Sequence, residues 1–328
     1  MRLLRTALVA AAVWAPLIAC AQTQTAATPA WPTKAIKIIV TYPTAGVSDN
    51  ATRVLAERLT KSLGQPVLVE NRAGAGGTVG ADVVAKAAPD GYTIGFAGIS
   101  AFSIGPHVMK VNYDSLKDFA PVAAAMYSPV YLLATSKFTG NSFEDVIALS
   151  KAKPGSITVA TSGYGTVGHI MIEQLRKKSG ADITNVPYKG GGQIATDALG
   201  GQFDLMLANP YANLNNLIAE GKFRVLAVGA PQRLEKYPDV KTFAELGYPE
   251  ANMTSFFGFF APARTPPEVI TKLNTEINRA LNDPEIAEKI RRLENLVVTG
   301  APEYFGDMIQ KEYASNAVIV KEANIKAE

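Results

Sequence analysis

Cysteine and histidine are nearly missing from this chain: 328 residues hold one cysteine and two histidines. The single cysteine, Cys20, lies close to the N-terminus, so the rest of the chain has no thiol with which to form a disulfide. Its stability has to come from its core alone. His107 and His169 stand far apart, without an H-E-x-x-H spacing and without a cysteine partner, so no zinc pattern is present. Neither sits in a recognisable nucleophile–base context. An excess of one charge is also lacking, since 32 basic and 29 acidic residues leave a net charge of +3. The nearest approaches to a basic run, Arg176-Lys177-Lys178 and Arg291-Arg292, read as solvated helix faces, which sets nucleic acid aside. Past the N-terminus no apolar run reaches the roughly 18 residues of a membrane span. No G-x-x-x-x-G-K-[ST] phosphate loop occurs. The glycine loop at 74–80 fails as a dinucleotide fingerprint because Val79 stands where the third glycine is needed. Ser162 is flanked at two residues by Ala160 and Tyr164, so it is no nucleophile elbow. No cofactor and no metal are expected.

What is present begins with an export signal. Arg2 and Arg5 precede an apolar run at 7–19, too short to span a bilayer comfortably. Ala19-Cys20-Ala21 fits cleavage after Ala21, which gives a signal peptide over 1–21. Leu17-Ile18-Ala19-Cys20 equally fits a lipobox, which would end the signal before Cys20 and leave that residue lipidated. Both readings place the protein in the periplasm, soluble or tethered by a lipid on Cys20. Residues 22–30, rich in Thr, Gln and Ala, read as a flexible tether.

From Trp31 onward strand and helix patterns alternate. β-branched runs at 36–42, 66–70 and 92–97 enclose helical patterns at 48–63 and 78–87, a βαβαβ order that implies a parallel sheet with helices on its faces. A second series starts near Val130, with strands at 131–135, 157–160, 184–186, 204–207 and 224–228 and helices at 143–152, 167–179 and 193–199. The length fits two domains. Extended segments near 119–130 and 253–261 would join them as a hinged pair around a cleft, with ligands beyond the carboxyl ends of the strands.

The loops there are the candidate site. Pro43-Thr44-Ala45-Gly46-Val47-Ser48-Asp49 follows the first strand, and Ser48 or Asp49 is placed to cap the next helix, whose free N–H groups and dipole favour an anion. Thr161-Ser162-Gly163-Tyr164-Gly165-Thr166 also opens a helix and would face the first loop across the cleft. Val186-Pro187-Tyr188-Lys189-Gly190-Gly191-Gly192 makes a third such loop. His169 reads as structural, and Phe256-Phe257 and Phe259-Phe260 as core.

Together these residues resemble a known family. Trp31-Pro32 with 36–40, Val69-Glu70-Asn71-Arg72 with the glycines at 74–77, Pro89-Asp90-Gly91-Tyr92-Thr93, Asp118 to Val122, Ser162-Gly163 with His169, Val186 to Gly190, Leu199-Gly200-Gly201-Gln202, Phe260-Ala261-Pro262 and Thr265-Pro266 are similar, in order, to the Bug family. These are periplasmic solute-binding receptors of tripartite tricarboxylate transporters. The resemblance implies an α/β, two-domain periplasmic-binding-protein (Venus flytrap) fold with a cleft between the domains: domain 1 over 31–125 plus 255–328, domain 2 over 126–254. It implies a non-enzymatic monomer that captures a small carboxylate (dicarboxylate, tricarboxylate, acidic amino acid or aromatic acid) and delivers it to the membrane subunits of the transporter. Carried over residue by residue, it marks Thr44, Ala45, Gly46, Val47, Ser48 and Asp49 in domain 1 and Ser162, Gly163, Tyr164, Gly165 and Thr166 in domain 2 as ligand-binding. Tyr188 and Asn209 are further candidates for the ligand's distal end. The first loop departs from the family's usual Pro-Pro-Gly-Gly, reading Thr44-Ala45-Gly46-Val47. The alternatives from other classes are an exported hydrolase and a structural envelope protein.

Overall fold

A computed structural model describes residues 31–326; the signal peptide, the tether and Cys20 lie outside the described residues. The chain begins β1 (Ile36–Val40), α1 (Val47–Leu63), β2 (Val67–Asn71), α2 (Thr78–Ala85) and β3 (Thr93–Gly98). Two single-turn helices, α3 (Ser100–Ser103) and α4 (Gly105–Val108), lead to the long strand β4 (Phe119–Ser128). Then come β5 (Val130–Ala134), α5 (Phe143–Ala152), β6 (Ile157–Thr161), α6 (Val167–Ser179), β7 (Ile183–Pro187), α7 (Gly191–Leu199), β8 (Leu205–Ala208), α8 (Ala212–Ala219) and β9 (Arg224–Gly229). The chain closes with β10 (Ser255–Pro262), α9 (Pro267–Leu281), α10 (Pro284–Arg291), β11 (Leu296–Val297) and α11 (Pro302–Glu322).

Two sheets result. The first has the order β11-β4-β10-β3-β1-β2, the second β7-β6-β8-β5-β9. β1, β2 and β3 run parallel, as their βαβαβ pattern requires; β10 joins β3 antiparallel, and β4 pairs antiparallel with β10, so it runs in the direction of the first three. This is the two-domain α/β fold of periplasmic binding proteins, with a cleft between the sheets. Each sheet is covered on both faces. The period of two along β1 sends Ile36, Ile38 and Val40 to a cluster with Leu55, Leu59 and Ile277, and Ile39 to a cluster with Val84, Phe102 and Phe305. α1 meets the first cluster through Ala51, Leu55, Leu59 and Leu63, one residue per helical turn, and ends at Gly64 in the left-handed conformation. In the second sheet Leu132 and Val159 face α6, while Tyr131, Leu133 and Ala160 face α7 through Ile194 and Ala195.

The chain crosses between the sheets at two adjacent places. β4 ends at Ser128 and β5 starts two residues later; β9 ends at Gly229 and β10 starts at Ser255, directly opposite Ser128 in the antiparallel register. α11 makes a third link. It packs on β4 and α3, yet Val320 near its end, together with Ile325, lies in the core of the second sheet.

Candidate functional site

Strand ends place the loops. β1 and β3 deliver Tyr42-Pro43 and Gly98-Ile99-Ser100 to one side of the cleft, while β6, β7 and β8 deliver Ser162, Gly191 and Asn209 to the other. Between them is a pocket, lined also by Gly46, Val47, Ser48, Thr166, Val167 and Gly168. No Lys, Arg, His, Asp or Glu is among its lining residues.

The N-termini of α1, α6 and α7 open on this pocket, and none has a side-chain cap. Their first-turn N–H groups lack carbonyl partners within the helix, so partial positive charge is directed at the pocket. The expected capping by Ser48 or Asp49 does not occur. α1 starts one residue before Ser48, with Gly46 in the capping position. Asp49 instead turns back and accepts from the Ala45 N–H at 2.9 Å, from Arg53 Nε at 3.0 Å and from Asn71 Nδ2 at 3.0 Å. Burial raises its pKa, but the bonds from Arg53, the Ala45 N–H and Asn71 outweigh that and hold the carboxyl below its ordinary value. Asp49 thus braces the loop rather than lining the pocket. The brace has a physical reason. Ala45 sits at φ +63°, a left-handed conformation that costs a non-glycine residue about 1–2 kcal/mol. Ser48 is the opposite case. It lines the pocket at 1% exposure, and its hydroxyl has no hydrogen-bond partner.

In the facing loop Ser162 and Thr166 line the pocket, whereas Gly163, Tyr164 and Gly165, expected there too, lie outside its lining. Thr166 donates to the Gly163 carbonyl at 2.7 Å. His169 Nδ1 accepts from the Gly165 N–H at 3.3 Å, and its ring packs edge-on against Tyr164. Burial, aided by the charge of Arg176, pushes its pKa down to about 4. The ring is therefore neutral and structural. His107 is likewise held in the fold, with Nε2 at 2.9 Å from the Tyr313 carbonyl.

The remaining expected residues separate. Thr44 and Ala45 are exposed and lie outside the lining. Tyr188 also lies outside it, its hydroxyl donating to Asp197 at 2.8 Å. Asn209 does line the pocket, but its amide donates to the Pro129 carbonyl at 2.9 Å and its oxygen accepts from Ser255 at 3.3 Å. It clasps both crossings between the sheets. Wall residues that local pattern did not mark are Tyr42, Ser100, Tyr211, Ser255, Phe256 and Phe257. The expectation of pure core thus holds for Phe259 and Phe260, whereas Phe256 and Phe257 belong to both core and pocket.

The cleft is closed on itself, through backbone meeting backbone. A Cβ at Gly76 would stand 2.5 Å from the Tyr164 carbonyl oxygen, one at Gly165 2.9 Å from Gly105 Cα, and one at Gly192 3.0 Å from the Thr44 carbonyl oxygen. Among the described residues no helix is long and apolar enough to cross a membrane, and no group of three or more His, Cys, Asp or Glu could hold a metal ion.

Known proteins share this architecture. The family described as tripartite tricarboxylate transporter family receptor matches residues 51–325. Protein BugT of Bordetella pertussis is 37% identical over 298 residues, 90% of this chain and 91% of BugT. The periplasmic binding protein BugD superposes with a TM-score of 0.85 at 30% identity, over 91% of this chain and all of BugD. MatC from Rhodopseudomonas palustris, solved with bound malate, gives 0.83 at 30% identity over 88% of this chain and 100% of MatC. An R. palustris protein solved with adipate gives 0.85 at 30% identity, covering 90% of this chain and 99% of that one. The chain therefore belongs to the tripartite tricarboxylate transporter receptors, the TctC or Bug family of periplasmic solute-binding proteins.

Proposed function

We propose that this protein captures a small carboxylate in the periplasm and presents it to the membrane subunits of a tripartite transporter, as a monomer and without chemical turnover. The observation that carries the reading is the pole formed by α1 and α6. Two uncapped helix N-termini from opposite sides of the cleft meet at a pocket into which Ser48 brings a buried hydroxyl without a partner. An anion satisfies all three features at once. The malate and adipate held by two structural relatives are carboxylates. A receptor rather than a hydrolase is supported by the lining, which offers no His or carboxylate as general base, while both histidines are engaged in the fold. The lobes divide near 128–130, a few residues past the expected 125/126, and near 254/255, at the adjacent crossings that Asn209 clasps, and closure takes place about them.

A thermal-shift screen of the mature protein against mono-, di- and tricarboxylates, amino acids and aromatic acids tests this. A cognate acid at 100 times Kd adds about 2.7 kcal/mol, a rise of several degrees in Tm at about 2–4 °C per kcal/mol. Calorimetry on each hit then gives the stoichiometry. If no acid gives saturable binding, the receptor reading falls.

A further inference from the structure

The pocket's hydrogen-bond donors are nearly all in use, and where the free ones lie says what kind of acid fits. Tyr42 donates its hydroxyl proton to the Gly76 carbonyl at 3.0 Å. Ser100 Oγ, 3.5 Å from the Tyr42 oxygen, is then the donor of that pair, because the tyrosine proton is already placed. Thr166 gives its proton to Gly163 and Tyr211 gives its own to the Gly191 carbonyl at 3.0 Å. Asn209 directs its amide at the Ser128 and Pro129 carbonyls, at 3.5 and 2.9 Å, and Ser255 donates to Asn209 Oδ1.

Two lining side chains remain with an uncommitted donor: Ser48 and Ser162. Each stands beside an uncapped first turn, Ser48 at α1 and Ser162 at α6, so the free donors gather at one pole. The α7 terminus is less available. The first loop covers it, with the Pro43 ring packed on Gly190 and the Thr44 carbonyl turned toward Gly192. Away from the pole the wall is Val130, Ile194, Leu207, Phe256 and Phe257, together with hydroxyl oxygens that keep only lone pairs. Both phenylalanines are fixed by other rings, Phe257 stacking on Phe96 and Phe256 on Tyr127.

We infer that the ligand is a monocarboxylate: one anionic group at the α1–α6 pole, with an uncharged and mainly apolar remainder against Phe256, Phe257 and Leu207. A second carboxylate on the same molecule would meet lone pairs and hydrocarbon, with no free side-chain donor and no cation among the lining residues to replace its water. This rests on the carboxylate-receptor reading above and narrows it. It also separates this chain from its relatives that hold malate and adipate, which carry two carboxylates.

Matched acids of equal length test it by calorimetry on the mature protein: hexanoate against adipate, 4-methylbenzoate against terephthalate, with monomethyl adipate added to separate charge from size. The monoacids should bind tighter than the diacids by about tenfold or more, since a hydrogen bond to a charged group lost without replacement is worth that much. Monomethyl adipate should recover most of the loss. Diacids binding as well as or better than monoacids would overturn the inference while leaving the receptor reading intact. A monoester as weak as the diacid would also overturn it, because size and not charge would then decide. If neither series binds, the inference falls, and the receptor reading falls with it only if the wider screen of acids is also silent.

Discussion

Replacing His169 by phenylalanine should remove a large part of the acid sensitivity of this protein. The ring is 3% exposed, and its Nδ1 accepts from the Gly165 N–H, so the neutral tautomer with hydrogen on Nε2 is the one the fold requires. Burial and Arg176 lower its pKa from 6.5 to about 4. Folding therefore disfavours protonation. Above pH 6.5 both folded and unfolded chains hold a neutral ring and the effect is nil. Between 6.5 and 4 the unfolded chain takes up a proton that the folded one refuses, so stability falls as pH falls. At pH 5 the loss relative to pH 7.5 comes to about 2 kcal/mol. Glu173, 4.0 Å from Nε2, would hold the imidazolium if it formed and trims that figure.

Thermal unfolding followed by circular dichroism at pH 7.5 and pH 5.0 reads this directly. Wild type should lose about 4–8 °C more than His169→Phe on going to pH 5.0. At pH 7.5 the variant itself should be less stable by about 1–3 kcal/mol, because it leaves the Gly165 N–H without an acceptor, and at pH 5.0 that deficit should shrink by about 2 kcal/mol. Parallel pH profiles for the two proteins would show that His169 titrates near its ordinary value, and the account of the loop's anchor would be wrong.

Ser48→Ala should weaken binding by about tenfold or more in calorimetry while leaving the Tm of the empty protein unchanged or raised, because it deletes a buried hydroxyl without a partner. Gly192→Leu, at ordinary helical φ but with its Cβ 3.0 Å from the Thr44 carbonyl oxygen, should leave the unfolding free energy within about 1 kcal/mol and cost more than about tenfold in affinity. Its radius of gyration with saturating ligand, from small-angle scattering, should exceed that of wild type. Arg53→Gln, Arg72→Gln and Lys189→Gln should each change affinity by less than about tenfold, since none lines the pocket and the ion pairs of Arg53 with Asp49 and Arg72 with Glu70 are partly exposed. Ala45→Gly should raise stability by about 1 kcal/mol in denaturant unfolding, by relieving the left-handed φ.

What the sequence made legible was local. β-branched runs followed by Gly/Ser loops and amphipathic stretches announce β1, α1, β6 and α6 to within a residue or two, because period and turn chemistry are short-range properties. Both facing loops follow from that. Other features depend on which strands become neighbours. Ser100, Ser255 and Phe256 reach the pocket because β10 inserts between β3 and β4, a pairing that no window of sequence contains. Tyr188 and Asn209 sit at strand ends as expected, yet their polar atoms go to Asp197 and to the crossing segments, partners that appear only once the chain is folded. Asp49 is the sharpest case. Its position suits a helix cap, but the left-handed turn at Ala45 draws the carboxylate backward, and the helix is left open for an anion.

An open α1 terminus also explains how binding and closure can be one event. The donors of the pole are split: Gly46, Val47 and Ser48 follow a strand of the first sheet, whereas Ser162 and Thr166 to Gly168 follow a strand of the second. On the proposed reading neither half alone would satisfy a carboxylate, so an open form would present a weak, half-complete site. Only a closed form would aim both helix ends at the same oxygens. A ligand shifts a conformational equilibrium by its difference in affinity for the two states, and splitting the donors makes that difference large. The glycine contacts at 76, 165 and 192 set the closed distance, because backbones bearing side chains there would stop short of it. Partial charges suit the task better than a buried arginine would. Each helix end contributes up to about 2 kcal/mol, enough together to favour closure, and reopening leaves no unpaired full charge stranded in an apolar wall.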